Sequence, residues 1–177
     1  MNAKNSDQAD MNKLFDEKIE ELEKNLRFGE GDKNCAAWTF TSILDVLGLE
    51  NFFFNNLAIP LAGGFGGFKS MHGWKGPCGA VCAGCAAIGI IMGGQKPIKF
   101  GAKSRIYLRA AKFVHYFEKE FGSVICEDLC GIDFSDPIGL QKFLDVDIWG
   151  NTCYKYIIKA VDLVRKVTDK ELTRKWG

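Results

Sequence analysis

The sequence lacks the features that mark export, membrane insertion and nucleic-acid binding. Residues 1–12 are polar and carry acids, without the apolar core of a secretory signal. The longest apolar run, residues 80–94, is interrupted by glycines and is shorter than the roughly 20 residues that cross a bilayer. The 177 residues carry a formal net charge of +1, so no basic surface for DNA is expected. We therefore expect a cytoplasmic protein with no membrane span and no nucleic-acid partner.

Signals for β-structure, for a nucleotide site and for covalent haem are also missing. No run of alternating apolar and polar residues predicts a strand, and no repeat of fixed length is visible. The glycine-rich residues 63–68 follow no strand, and Lys69 breaks the Gly-x-Gly-x-x-Gly spacing, so no nucleotide is expected. No Cys-x-x-Cys-His occurs, so no covalent haem is expected.

Apolar residues at helical spacing predict an all-α fold. Residues 78–92 are small and apolar on all sides, as in a central helix that its neighbours pack closely. Residues 63–68 are predicted to be a loop because each glycine loses much entropy in a helix or strand. Together these patterns predict an irregular helical bundle with a central buried small-residue helix. Its predicted helices are residues 11–28, 35–48, 78–92, 104–121, a short one near 140–144, and a last one that Asn151 and Thr152 cap.

The chain length suits one hydrophobic core without disulfides. Gly29, Gly31 and Asp32 break the first helix, so residues 1–33 are predicted to be an N-terminal amphipathic helix and linker. Residues 34–177 are predicted to be a cysteine-bearing helical domain, one compact unit. Phenylalanines at 52–54 are more than one helix face can bury, which favours a subunit contact in a homodimer.

Seven cysteines are the unusual feature of the composition. A reducing cytoplasm gives a structural disulfide no advantage, and an odd number leaves one thiol unpaired, so thiol or metal chemistry is favoured. Cys35, Cys78 and Cys153 lie in or just before the first turn of a predicted helix, where free amides and the helix dipole stabilise a thiolate. Cys126 follows the long fourth helix, in a predicted short turn.

The other three cysteines lie close in sequence to these four. Cys78, Cys82 and Cys85 are spaced by four and three residues, so they line one helix face. Cys82 and Cys85 also have the spacing of a thioredoxin motif, but no strand precedes them. The alternative is that the cysteines are small apolar residues that pack a tight helix.

The order of these motifs resembles the redox-active protein family named for its C-GCAxxG-C-C cysteine pattern. The likeness covers residues 34–164 and implies a bacterial or archaeal protein with four characteristic cysteines. The motifs that carry it are Asn34-Cys35-Ala36, the glycine-rich residues 63–68, Cys78-Gly79-Ala80, Cys126-Glu127-Asp128-Leu129-Cys130-Gly131, and Cys153. The four family cysteines fall on Cys35, Cys78, Cys126 and Cys153.

The central cysteine of the pattern has two placements. After Cys78 the family glycine is replaced by Ala83, whereas a literal Gly-Cys-Ala-x-x-Gly begins at Gly84 and makes Cys85 central. The distance to the glycine-rich residues and the Cys-Gly-Ala triplet favour Cys78.

The family is also similar to the cysteine-bearing region of split-Soret cytochromes c, which implies an iron–sulfur cluster rather than zinc. The predicted ligands are Cys35, Cys78, Cys126 and Cys153, with Cys82, Cys85 or Cys130 as extra ligands. Gly64, Gly66 and Gly67 are predicted to present backbone amides to the cofactor, and His72 to donate to a thiolate or bind metal. The alternatives are a tight glycine turn between packed helices and a structural histidine.

The predicted function is cysteine-based electron transfer to an unidentified redox partner protein. One alternative is a metal-free thiol–disulfide oxidoreductase, in which two helix-capped cysteines cycle and a third resolves the intermediate. Another is a structural or binding protein whose fold is stabilised by a zinc ion bound to the cysteines. No residue is assigned a catalytic role.

Overall fold

The computed structural model describes residues 3–28, 33–49, 52–94, 97–98 and 100–172. Within these ranges the chain forms eight α-helices and no sheet, which confirms the predicted all-α class. The helices are α1 (Ala3–Asn25), α2 (Cys35–Val46), α3 (Phe52–Pro60), α4 (Gly79–Gly93), α5 (Phe100–Phe121), α6 (Cys126–Cys130), α7 (Gly139–Asp145) and α8 (Tyr154–Thr168). No helix in the described ranges is long and apolar enough to cross a bilayer.

Helix α4 lies at the centre and contacts α2, α5 and α8, as the small-residue pattern predicts. Its side chains are short enough for its neighbours to come close. A Cβ added at Gly84 would lie 2.4 Å from the ring of Phe113 on α5, so the two helices meet where α4 has no side chain. Glycine at the end of α4 also fits its backbone, because Gly94 has φ +65°, in the left-handed region.

Two further helices complete the core. Helix α8 buries one face, including Ile157, Val161 and Val164. Helix α1 packs against α8 and α2 and buries Met11 and Phe15 completely, so it shares the core of the cysteine-bearing helices. The predicted break at Gly29, Gly31 and Asp32 lies outside the described residues.

The start of α2 is as predicted. The side-chain oxygen of Asn34 accepts a hydrogen bond from the amide of Ala37 at 3.0 Å, and this cap places Cys35 in the first turn.

Residues 52–65 differ from the prediction. Helix α3 was not predicted, and it continues into a π-helical turn, Leu61–Phe65, that contains Gly63 and Gly64. The loop prediction is therefore wrong for the first half of residues 63–68. The turn is closed by the Gly66 amide, which donates to Leu61 O at 3.0 Å, and it is packed against α4. Tertiary packing there outweighs the entropy that glycine loses.

The starts of four other helices also differ from the prediction. Cys126 opens helix α6 instead of lying in a turn, and α1 and α5 begin earlier than their apolar patterns predict. Asn151 does not cap α8: its side-chain amide donates to the carbonyls of Val146 and Asp147. A π-helical turn, Trp149–Cys153, runs directly into α8, so Cys153 lies inside a continuous helical run rather than at a free N-terminus.

Candidate functional site

Cysteines from four separate parts of the chain come together at one place. The thiol of Cys35 at the start of α2 contacts that of Cys78, which precedes α4. Cys126 of α6 interacts electrostatically with both, and Cys153 interacts with Cys78. The structure therefore brings together the four cysteines that the resemblance assigns to the family pattern. With Cys82 and Cys130, which neighbour them, they form what we call the cysteine site: Cys35, Cys78, Cys82, Cys126, Cys130 and Cys153.

Backbone pairing fixes Cys78 beside Cys126. The Cys78 amide donates to Val124 O at 2.7 Å, and the Cys126 amide donates to Gly76 O at 3.1 Å. An isolated antiparallel bridge joins Pro77 to Ile125 between them. Two short extended segments thus enter α4 and α6 side by side, although their cysteines are far apart in sequence.

A short hairpin, residues 68–76, leads into this pairing. The Gly76 amide donates to Phe68 O at 2.6 Å, and the Ser70 amide donates to Trp74 O at 2.8 Å. The Trp74 ring packs against Phe65 and Phe68, with ring centroids 5.4 Å and 5.9 Å away. The hairpin is therefore ordered by its own contacts and leads directly to Cys78.

Two lysines tie the hairpin to α6 and to the loop after it. Lys75 pairs with Glu127 at 2.9 Å and with Asp128 at 3.3 Å. Lys69 pairs with Asp133 at 2.5 Å and with Glu127 at 3.7 Å. The hydrogen bond from Lys69 holds the pKa of Asp133 well below its usual range. These ion pairs, the lysine clamp, hold the hairpin against the segment that carries Cys126.

The first thiol pair is Cys35 with Cys78. The hydrogen bond between the two thiols and the burial of Cys78, which is 5% exposed, raise the pKa of Cys78. A Cβ added at Gly79 would lie 2.6 Å from the Cys35 sulfur and 2.8 Å from Ala62 Cβ. Glycine is required after Cys78 because the Cys35 thiol occupies the space of a side chain. It is Cys78, not Cys85, that contacts Cys35.

The second thiol pair is Cys126 with Cys130, one turn apart on α6. A hydrogen bond to Cys130, together with burial, raises the pKa of Cys126. The same bond lowers the pKa of Cys130 to about 7, against the effect of burial. The Cys130 sulfur also lies 3.8 Å from Ile132 O, which accepts its hydrogen bond.

Burial dominates at the remaining thiols. It raises the pKa of Cys82 to about 12, of Cys85 to about 11 and of Cys153 to about 12. The expectation that a helix N-terminus favours the thiolate is therefore wrong for Cys78 and Cys153. At Cys78 the hydrogen bond to Cys35 and burial outweigh the effect of the helix N-terminus. Cys153 is largely removed from solvent and lies inside a continuous helical run rather than at a free N-terminus.

Tyr156 borders the site and was not predicted. Its hydroxyl donates to Leu129 O at 2.9 Å, which ties α8 to α6. Burial raises its pKa to about 12, and the thiols of Cys153 and Cys78 add to this. Its position three residues after Cys153 places both on one face of a helix, which is the sequence signal that could have found it.

The predicted cofactor-binding glycines lie in or just after the π-helical turn Leu61–Phe65. Gly66 is buried, and an added Cβ would lie 2.7 Å from Pro77 O. Gly67 has φ +75° and lies against the Phe134 ring. Gly64 is exposed in the π-helical turn, and His72 is exposed at the tip of the hairpin. Their binding of a cofactor stays a prediction.

The thiols do not surround a single point. Among the residues that the structure describes, no group of three or more His, Cys, Asp or Glu side chains could hold a metal ion. The site consists instead of two hydrogen-bonded pairs with Cys82 and Cys153 beside them. One tetrahedral zinc ion needs four donors that converge, so zinc binding would require the thiols to rearrange.

Comparison with known proteins identifies one family. Neither curated proteins nor solved structures gave a match. The model of the family described as "Putative redox-active protein (C_GCAxxG_C_C)" matches residues 33–167, which include all seven cysteines. The match begins next to residue 34, where the predicted cysteine-bearing domain starts. The chain therefore belongs to the C_GCAxxG_C_C family of redox-active proteins, which supports a cysteine-based redox role.

Proposed function

We propose that the chain is an electron-transfer protein whose cysteine site holds an iron–sulfur cluster. The observation that carries the proposal is the convergence of the four family cysteines from four separate elements. Iron–sulfur clusters are bound by four cysteine thiolates, and thiolates are the soft ligands that suit them. The donor set at the site therefore fits the cluster in kind and in number.

The ligands in this proposal are Cys35, Cys78, Cys126 and Cys153. A cluster distributes its thiolates over several irons, so its ligands need not converge on one point as those of zinc do. The two thiol pairs and the neighbouring Cys153 are compatible with such a distribution, after the pairs open. When bound, the cluster would supply one-electron chemistry at a potential set by its surroundings.

The raised thiol pKa values are consistent with a metal-loaded site. Burial disfavours a free thiolate at Cys78 and Cys153, so these thiols are weak nucleophiles without metal. A bound metal supplies the missing positive charge and displaces the proton. The same burial limits the contact of these two thiols with water and lowers the local dielectric constant, which affects the potential.

Anaerobic purification with iron, sulfide and zinc analysis tests this proposal. We expect iron with acid-labile sulfide and a broad visible absorption, and we expect Cys35→Ser and Cys153→Ser to lose both. Cys85→Ser is the matched control, because Cys85 is half-buried on α4 and lies outside the Cys35 contact. Circular dichroism checks that each variant is folded. Iron-free protein, or equal iron loss in the control, would overturn the proposal.

A second candidate function is metal-free thiol–disulfide exchange through Cys35 and Cys78. It is favoured by the hydrogen bond that already joins these two thiols. Their oxidation by a partner's disulfide would form one S–S bond, and the partner would receive two electrons and two protons. The matching test is peptide mapping of iron-free protein treated with glutathione disulfide. Trypsin separates Cys35 on peptide 34–69 from Cys78 on peptide 76–99, which also carries Cys82 and Cys85. A cross-link between these peptides that is lost in Cys78→Ser therefore identifies the pair.

A further inference from the structure

The thiol pair of α6 extends beyond the family pattern. The resemblance assigns Cys126 to that pattern and leaves Cys130 outside it. Yet the two cysteines lie one turn apart on α6, and their thiols interact with each other. Cys126 is half-buried and within reach of a small reagent, and Cys130 is 8% exposed. A proposed cluster ligand thus has a second thiol as its nearest partner within its own helix.

We propose that Cys126 and Cys130 form a reversible disulfide that withdraws Cys126 from the cysteine site. The inference rests on the proposed function only for its consequence, because disulfide formation itself needs no metal. The disulfide makes α6 a redox-sensitive segment. In the oxidised protein, three of the four family cysteines remain as thiols.

Helix α6 is short enough to distort so that this strained bond can form. Side chains four residues apart on a helix have Cβ atoms about 5–6 Å apart, whereas a disulfide needs about 3.5–4.5 Å. The helix must therefore tighten by about 1–2 Å. It has five residues and is followed by Gly131, which has φ +71° and nothing within 4 Å of where a Cβ would lie. A strained disulfide of this kind is readily reduced, which suits a reversible modification.

The change in α6 would reach the hairpin through existing contacts. Glu127, between the two cysteines, pairs with both Lys69 and Lys75. The Cys126 amide is bonded to Gly76 O, at the end of the hairpin. Tightening α6 therefore moves a carboxylate and an amide that hold the hairpin in place.

The oxidant is a low-molecular-weight disulfide, and glutathione disulfide is the probe. Glutathione disulfide reaches the half-buried Cys126 more easily than the buried Cys130, which is the more acidic thiol. The Cys126 sulfur therefore passes its proton to the Cys130 thiolate and attacks one sulfur of glutathione disulfide, which forms a mixed disulfide and releases one glutathione thiolate. The sulfur of Cys130 then attacks Cys126 and releases the second glutathione thiol. Two protein thiols are oxidised to one disulfide, and one glutathione disulfide is reduced to two thiols.

Peptide mapping of the full-length, iron-free, reduced protein tests the bond. Both cysteines lie on tryptic peptide 120–142, and Asp128 between them allows cleavage before it by the endoproteinase Asp-N. After treatment with glutathione disulfide and alkylation, we expect this peptide to lose two hydrogens and the two Asp-N fragments that carry the cysteines, 120–127 and 128–132, to stay linked. Excess glutathione thiol should reverse the change. Two alkylated thiols at every glutathione ratio, or links from this peptide to other peptides instead, would overturn the inference.

Cys130→Ser provides the matched control. It keeps all four family cysteines, and it should accumulate a glutathione adduct on Cys126, since no second thiol releases it. Alkylated Cys126 without adduct, at glutathione ratios that oxidise the wild type, would contradict the proposed order of attack.

Iron loading then separates this inference from the proposed function. Oxidised wild-type protein should take up iron only after reduction by dithiothreitol. If the reduced protein takes up no iron while the disulfide maps to peptide 120–142, the proposed function fails and the thiol pair stands. If the reduced protein takes up iron but no disulfide forms, the inference fails and the proposed function stands.

Discussion

Replacing Gly79 with alanine tests whether the contact between α2 and α4 builds the cysteine site. The added Cβ would lie 2.6 Å from the Cys35 sulfur, 2.8 Å from Ala62 Cβ and 3.1 Å from Ala62 Cα. Non-bonded heavy atoms are comfortable at about 3.5–4.0 Å, so each neighbour must retreat by roughly 1 Å. The Cys35 thiol can rotate away, but the Ala62 backbone can move only if the π-helical turn shifts. Either change separates Cys35 from Cys78.

The change that Gly79→Ala makes in the free energy of unfolding follows from two opposed effects. Overpacking of this kind costs about 1–3 kcal/mol, whereas alanine in place of glycine within a helix gains at most about 1 kcal/mol. Gly79 is the first residue of α4, where that gain is smaller. Gly89, in the same helix, has nothing within 4 Å of an added Cβ and is the matched control. We expect Gly79→Ala to lose stability and Gly89→Ala to keep or gain it.

Urea denaturation followed by circular dichroism measures both effects on the free energy of unfolding. We expect the two variants to differ by about 1–3 kcal/mol. Iron per chain after anaerobic reconstitution should fall in Gly79→Ala and stay at the wild-type value in Gly89→Ala. If Gly79→Ala matches the control in both measurements, the proximity of Cys35 to α4 is not what forms the site, and the reasoning is refuted.

Further expectations concern the cap of α2, the core and the buried thiols. Asn34→Ala removes the acceptor for the Ala37 amide and should lower the free energy of unfolding by about 1 kcal/mol in urea denaturation; an unchanged value would contradict the cap. Gly84→Ala, 2.4 Å from the Phe113 ring, should lose about 1–3 kcal/mol, and adding Phe113→Leu should restore part of it. Because burial raises the pKa of Cys153 to about 12, its alkylation rate in reduced, metal-free protein should rise with pH without a plateau near the ~8.5 of a free thiol. Mass spectrometry of peptide 143–155 measures that rate, and a plateau there would show an unburied thiol.

Features that depend on neighbours in sequence could be predicted from the sequence. The Asn34 cap is a local hydrogen bond to a residue three positions on, and the small residues of α4 indicate a helix that others approach closely. Helix α3 was missed because Phe52 and Phe53 are exposed and leave no apolar stripe on a buried face. Asn151 was assigned a capping role by residue type, but its amide bonds to preceding carbonyls instead.

The convergence of the cysteines needed tertiary information. The resemblance to the family supplied the four positions, but the sequence contains no local signal that Cys78 pairs through its backbone with Val124. The thiol pKa values were also predicted in the wrong direction at Cys78 and Cys153. A helix N-terminus is visible in a sequence, whereas the depth of a thiol below the surface depends on which elements cover it.

The packing of neighbouring elements against α4 forms both the hydrophobic core and the cysteine site. A substitution that changes this packing therefore affects both. Gly84 lets α5 approach α4, and Gly79 lets the thiol of Cys35 approach Cys78 along the same helix. A larger residue at position 79 would still form a helix and would still be apolar. It would nevertheless push the Cys35 thiol of α2 away from Cys78 at the start of α4. The preference for glycine after Cys78 therefore comes from the close approach of the Cys35 thiol and of Ala62, whereas the helix itself would favour alanine.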